Sequence, residues 1–245
     1  MDRLRVLNRN QIKYIVIAAM LIDHIAYAYV PMKTPLGVGM RFVGRLTGPT
    51  MAYFIAEGFM HTKSRPRYAL RLGLFALISW IPYALFETGS WPVLKFGVIY
   101  TLFLGFIALW IWNNDRLNPL VRLVAVFEIL VLSTWGDWAY MDIIIPMIAL
   151  IHRDDEKRKW TGLTIVCAVW TVTAFAVGIY QGIFQSGIML VPLMLRYLYN
   201  GEPGSRHPFH KWFFYIFYPA HLLILVLIKY NTIRICGTGF VLPWK

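Results

Sequence analysis

FGVIYTLFLGFIALWIW, residues 96–112, carries no charged side chain, and neither does TGLTIVCAVWTVTAFAVGI, residues 161–179. An α-helix rises 1.5 Å per residue, so a stretch of about 20 such residues crosses the ~30 Å hydrocarbon core of a bilayer. These are the cleanest of nine apolar stretches of comparable kind: 12–30, 42–60, 68–86, 96–112, 119–134, 138–152, 161–179, 183–199 and 212–229. The fifth and sixth are short and more polar, holding Arg122, Glu128, Asp142 and Pro146, and are compatible with a re-entrant pair. Composition points the same way. The 245 residues are 58% hydrophobic and only 15% charged, whereas a soluble domain carries about 25% charge. The fold class expected is therefore all-α: a polytopic membrane helical bundle of about nine transmembrane helices.

Charge sets the expected orientation. Lys and Arg total 24 against 12 Asp and Glu, a net charge of +12. With the N-terminus inside, 17 of the 24 cations fall in cytoplasmic segments, which satisfies the positive-inside bias and implies contact with anionic lipid. No RNA- or DNA-binding motif competes for these charges, and no nucleic-acid partner is expected. The N-terminus is then cytoplasmic and the C-terminus outside. Residues 1–245 read as a single transmembrane domain, with 1–11 a cytoplasmic segment, 12–229 the bundle and 230–245 an extracytoplasmic tail. The first stretch has a basic lead but is long and lacks a cleavage site, so it reads as a retained helix. Cys167 and Cys236 lie at different depths and form no disulfide framework. The six histidines are scattered, and no metal site is expected.

Ionisable groups inside apolar stretches are costly and mark function. The first stretch holds Asp23 and His24, the second Arg45 and Glu57, the last His221. His24 lies about 18 Å along its helix from Ile12, Asp23 about 16 Å, and His221 about 14 Å from Trp212. With both helices starting inside, the three share one mid-membrane level. Adjacent helical residues point about 100° apart, so Asp23 does not orient His24 directly; a pairing of Asp23 with Arg45 is the attractive alternative. Structural pairing and packing remain the competing reading for each residue alone. Arg41, one turn from Arg45, reads more readily as a headgroup or snorkelling residue than as a substrate clamp. Gly37, Gly39, Gly44 and Gly48 permit close helix approach. Pro219 removes a backbone hydrogen bond beside His221.

Two cytoplasmic patches suit an anionic cosubstrate as well as an ordinary basic loop. One contains Lys63, Arg65, Arg67 and Arg71; the other contains Arg196, Tyr197, Asn200, Gly201, Arg206 and Lys211.

Several strings then occur in a particular order: Met20-x-x-Asp23-His24; GRLTGPTMAYFIAEGFMHT over 44–62; Tyr68-x-x-Arg71-Leu72; FALISWIPY over 75–83; LYNGEPG over 198–204; FYPAH over 217–221. As an ordered set covering most of the chain, they resemble the TraX family of polytopic membrane proteins. The matching positions are Asp23, His24, Gly44, Arg45, Pro49, Glu57, Gly58, Thr62, Arg71, Asn200, Gly201 and His221. The resemblance implies acyl transfer, the family's namesake being associated with N-terminal acetylation of conjugative pilin, and related transmembrane acyltransferases draw on cytoplasmic acetyl-CoA.

Joined to that resemblance, the residues suggest a mechanism. Acetyl-CoA is the cosubstrate, its phosphates held by Lys63, Arg65, Arg71, Asn200 or Lys211. His24 or His221 acts as general base on an amine or hydroxyl of a protein, glycan or lipid acceptor, with Asp23, Arg45 and Glu57 supporting the polar site. A ternary complex and an acetyl-histidine relay both fit. The expected location is the bacterial cytoplasmic membrane. A transporter or flippase for an amphiphile and a non-catalytic membrane assembly protein are the alternatives.

Overall fold

The computed structural model describes residues 5–236, with side chains on the last helix through 231. Arg3 and residues 237–245 of the expected tail lie outside the described residues. Eleven α-helices occur among the described residues: α1 (Arg9–Tyr29), α2 (Pro35–Gly44), α3 (Thr47–His61), α4 (Arg65–Thr88), α5 (Val98–Trp112), α6 (Pro119–Leu132), α7 (Met141–Ile151), α8 (Glu156–Val177), α9 (Ile179–Gln185), α10 (Leu190–Tyr197) and α11 (Pro208–Cys236). Strand-like pairing among them is confined to isolated contacts of Leu7 with Tyr199 and Phe96 with Gly136. The fold is all-helical, and α1, α4, α8 and the 208–231 part of α11 are each long and apolar enough to cross a membrane.

The other expected spans are shorter or interrupted. The stretch 42–60 is not one helix: α2 ends at Gly44, Arg45 and Leu46 turn, and α3 starts at Thr47. The stretch 183–199 is divided by a 3-10 turn, Ser186–Met189, between α9 and α10. The 14 residues of α6 and 11 of α7 reach only about 21 and 16 Å, short of a full crossing. At the C-terminal end α11 continues to Cys236, so the expected boundary at residue 229 falls within a helix.

The chain divides into two compact units. The first comprises residues 1–47 and 167–245 and holds α1, α2, α9, α10, α11 and the end of α8. Asn8 caps α1 reciprocally with Gln11, satisfying two backbone donors at the helix start. The N-terminal lead is fixed to the 198–205 loop by Leu7 N–H to the Leu198 carbonyl (2.9 Å), Asn200 N–H to the Leu7 carbonyl (3.0 Å) and Arg9 N–H to the Glu202 carbonyl (2.8 Å). Further along, Tyr29 Oη donates to the Leu225 carbonyl at 2.8 Å, so the C-terminal end of α1 is tied to α11.

The second unit comprises residues 48–166. Its central helix is α5, which packs on α4, α6 and α7. The absence of charge from 96–112 follows from this position, because a helix surrounded by others is apolar all round. Phe106, Ala108 and Leu109 on α5 are wholly buried.

Candidate functional site

The site is built in the first unit where α2 meets α1. Thr34 caps α2, its Oγ1 accepting from Gly37 N–H at 3.1 Å, with Pro35 at the first helical position. At the other end, a Cβ on Gly44 would stand 2.2 Å from Asp23 Cβ. Only glycine lets α2 approach α1 at the level of Asp23. Beyond the break, Thr47 Oγ1 donates to the Val16 carbonyl at 2.6 Å, and both residues are buried. The interruption therefore directs Arg45 inward.

Asp23 receives two arginines. Arg45 Nη2 donates to Asp23 Oδ2, and Arg41 Nε lies 3.2 Å from Oδ1. The three side chains are 10–14% exposed, so water screens this triad far less than a surface pair. The Arg41 guanidinium lies 4.8 Å from the ring of Tyr27 and 4.9 Å from that of Phe184, with Arg45 at 5.6 Å from Phe184. The planar cations thus stack on aromatic faces while their edges reach the carboxylate. Arg41, read from the sequence as a snorkelling residue, belongs to this cluster. Its one-turn spacing from Arg45 was the available signal.

His24 and His221 meet: His24 Nδ1 and His221 Nε2 are 2.7 Å apart, and both residues are buried. His221 Nδ1 lies 2.8 Å from the Phe217 carbonyl. A carbonyl only accepts, so His221 Nδ1 carries the hydrogen. In a neutral His221 ring Nε2 is then an acceptor, and His24 Nδ1 must donate to it. A neutral His24 is left with its basic lone pair on Nε2. His221 also stacks on Phe217, ring centroids 5.0 Å apart and planes 16° apart, which fixes the ring beside Pro219. The pair can accept a proton at His24 Nε2 and pass the Nδ1 proton to His221 without moving either ring.

The remaining predicted residues have other settings. Asn200 and Lys211 belong to the first unit, near the N-terminal end of α1. Arg9 there is about 21 Å along the helix from Asp23. Asn200 Oδ1 accepts from Glu202 N–H at 2.9 Å, shaping the 198–204 loop. Lys211 is exposed, with its Nζ 5.0 Å from the Trp212 ring. Glu57, Lys63, Arg65 and Arg71 belong to the second unit. There Glu57 is half-buried on α3 and Lys63 exposed. Arg65 covers the Phe59 ring at 4.2 Å, and Arg71 Nη1 donates to the Arg67 carbonyl at 3.3 Å. Sequence reasoning passed over the contact of Tyr14 Oη with His210 Nδ1 at 2.7 Å. Its trace is His210 three residues after His207, on the rim already rich in cations.

Residues 8–229 match the family model described as TraX protein. The chain is 30% identical to the "Probable fimbrial assembly protein FimC, serogroup H1" of Dichelobacter nodosus, over 89% of this chain and 94% of the relative. No solved structure matches it significantly.

Proposed function

The chain belongs to the TraX family, and from that premise we propose that it is a multi-pass acetyltransferase of a bacterial cytoplasmic membrane. It takes acetyl from cytoplasmic acetyl-CoA and delivers it to an amine or hydroxyl at the membrane or beyond it. The His24–His221 pair carries this reading: two buried imidazoles are joined at 2.7 Å, and the tautomers set by the Phe217 carbonyl leave the neutral pair's basic lone pair on His24 Nε2. His24 Nε2 takes the acceptor's N–H or O–H proton as the acceptor atom bonds to the thioester carbonyl carbon. The carbon–sulfur bond breaks, and the leaving thiolate takes the proton back from the imidazolium, giving the CoA thiol and the neutral histidine pair. Asp23, Arg41 and Arg45 hold α2 against α1 beside His24. The phosphates of the cosubstrate fall to cytoplasmic cations, for which Lys211 in the first unit and Lys63, Arg65 and Arg71 in the second are the candidates, each to be tested singly. The name of the fimbrial relative supports a fimbrial or pilin subunit as acceptor.

Purified chain incubated with acetyl-labelled acetyl-CoA and an acceptor amine should transfer label. His24→Ala should reduce the rate about 10²–10⁴-fold, the usual contribution of a positioned base. Wild-type rates in both His24→Ala and His221→Ala would remove the imidazoles from the chemistry.

A second reading, movement of an amphiphile across the membrane, draws on the interruptions at Arg45–Leu46 and Ser186–Met189, since broken helices line many transport sites. Stabilisation by acetyl-CoA that is lost with its non-phosphorylated analogue favours the enzyme. Indifference to every CoA species favours transport or assembly.

A further inference from the structure

The second unit contains a polar centre that plays no part in the acyl-transfer reading. Asp142, in the first turn of α7, is wholly buried. Thr101 Oγ1 on α5 lies 2.6 Å from Asp142 Oδ2, while Asp142 Oδ1 is buried with no hydrogen-bond partner. No ion pair reaches Asp142 among the described residues, and the charged side chain that acts on it, Asp137, bears the same sign. The surroundings are built closely. A Cβ on Gly105 would stand 2.1 Å from the Asp142 carbonyl oxygen, and one on Gly136 would stand 2.2 Å from Thr101 Cγ2. Tyr140, which precedes α7, has φ 63° and ψ −46°, a conformation that costs a non-glycine residue and persists where packing enforces it. Its N–H donates to Ser133 Oγ at 3.0 Å.

We propose that Asp142 is a proton-binding site: a neutral carboxylic acid that donates its hydrogen to Thr101 and can exchange it. The hydroxyl geometry suits the acid form. Thr101 Oγ1 has one hydrogen and two acceptors within reach, Asp142 Oδ2 at 2.6 Å and the Val98 carbonyl at 2.9 Å. A carboxylate leaves one of these contacts without a hydrogen, whereas the acid supplies the hydrogen at 2.6 Å and frees that of Thr101 for the carbonyl, which can only accept. A carboxylate would also be wholly buried with no ion pair among the described residues, an arrangement proteins avoid. Strain in front of a helix and an acid with one unpartnered oxygen are together the marks of a functional group within an apolar unit.

The experiment is infrared spectroscopy of the purified full-length chain in detergent at neutral pH. The wild type should show the C=O band of a protonated carboxylic acid, moving to lower frequency in D₂O, and Asp142→Asn should lose it. The amide of Asp142→Asn can donate to Thr101 as the acid does, so that variant should keep the wild-type elution profile. If it does not fold, Thr101→Val serves instead, and the band should rise in frequency as the acid loses its acceptor. A second arm uses dicyclohexylcarbodiimide, an apolar reagent for protonated carboxyls. The acid O–H adds across one C=N bond, hydrogen to nitrogen and oxygen to the central carbon, and the adduct rearranges to an N-acylurea with no group lost. Adduct on the peptide containing Asp142 in the wild type, and its loss in Asp142→Asn, support the site. A wild-type spectrum without the band, a band unchanged in Asp142→Asn, or equal labelling of both chains overturns it. None of these readouts depends on acetyl transfer, so the failure of one proposal leaves the other standing.

Discussion

Asp23 is one carboxylate between two guanidinium groups, and its removal leaves like charges buried side by side. Loss of one partner from a buried ion pair costs about 3–5 kcal/mol. Asp23→Ala should therefore lower the thermal midpoint in detergent by several degrees or prevent folding. Arg45→Ala should do nearly the same, and Arg41→Ala less, because Arg45 donates directly to the carboxylate while Arg41 is the longer ion pair, its Nε 3.2 Å from Oδ1. The double variant Asp23→Asn with Arg45→Met removes both charges and should recover stability relative to Asp23→Ala; no recovery would show that the triad is not the source of the loss. For the imidazoles, the proposed acetyl transfer together with the proton order set by the Phe217 carbonyl assigns the acceptor's proton to His24. His24→Ala should then reduce acetyl transfer more than His221→Ala, and the reverse order would invert the assignment. The Asp23–Arg45 pair and the common depth of His24 and His221 were legible in the sequence because charge and helical rise are simple functions of position. The hydrogen-bond order was not, since it depends on a backbone carbonyl that only the turn before His221 supplies.

At the scale of elements, the decisive feature is the turn at Arg45 and Leu46 between α2 and α3. The sequence from 42 to 60 reads as one apolar run by hydropathy, although Gly44, Thr47, Gly48 and Pro49 cluster at the break. The separation comes from contacts distant in sequence: Gly44 against Asp23, and Thr47 on the Val16 carbonyl. Interrupted helices escape a hydropathy reading for this reason, and α9 and α10 are a second instance. There Gly187 permits an approach to the Phe42 carbonyl that a Cβ would meet at 2.1 Å. Long uninterrupted helices such as α1, α4 and α8 were legible, within a few residues at each end. The prediction at this scale is Gly44→Ala. The added methyl has no room beside Asp23, so α2 must move away from α1, at the about 1–3 kcal/mol typical of overpacking. The expected readout is a lower thermal midpoint together with loss of acetyl transfer. Gly39→Ala serves as the control, because a Cβ there meets nothing within 4 Å, and it should be unchanged in both. Equal behaviour of the two variants would mean that the α1–α2 approach does not support the site.

Over the whole molecule, charge is divided unequally between the two units. The first unit contains 13 Lys and Arg against three acids, Asp2, Asp23 and Glu202, whereas the second contains 11 against nine. Nearly all of the +12 thus belongs to the unit that holds the histidine pair. A hydropathy and charge reading found the excess and gave it to anionic lipid, but it treated the chain as one body and spread the excess over every cytoplasmic loop. The division was not legible, because the first unit is assembled from two segments separated by more than a hundred residues. Its consequence is a specific lipid dependence. Attraction of exposed Lys and Arg to an anionic surface is worth about 1 kcal/mol each and fades within a Debye length. Reconstituted in vesicles containing phosphatidylglycerol, the chain should show hydrogen-exchange protection concentrated in residues 5–13 and 196–211, compared with vesicles of neutral phosphatidylcholine. Residues 113–118 and 152–158 in the second unit, where Arg122 pairs with Asp115, Arg153 with Asp154 and Arg158 with Asp155, should change little, since their cations are already balanced locally. Raising salt to about 1 M, where the Debye length is about 3 Å, should erase the difference in the first unit. Equal protection of both sets, or protection that survives high salt, would show that the charge division does not govern how the chain meets the membrane surface.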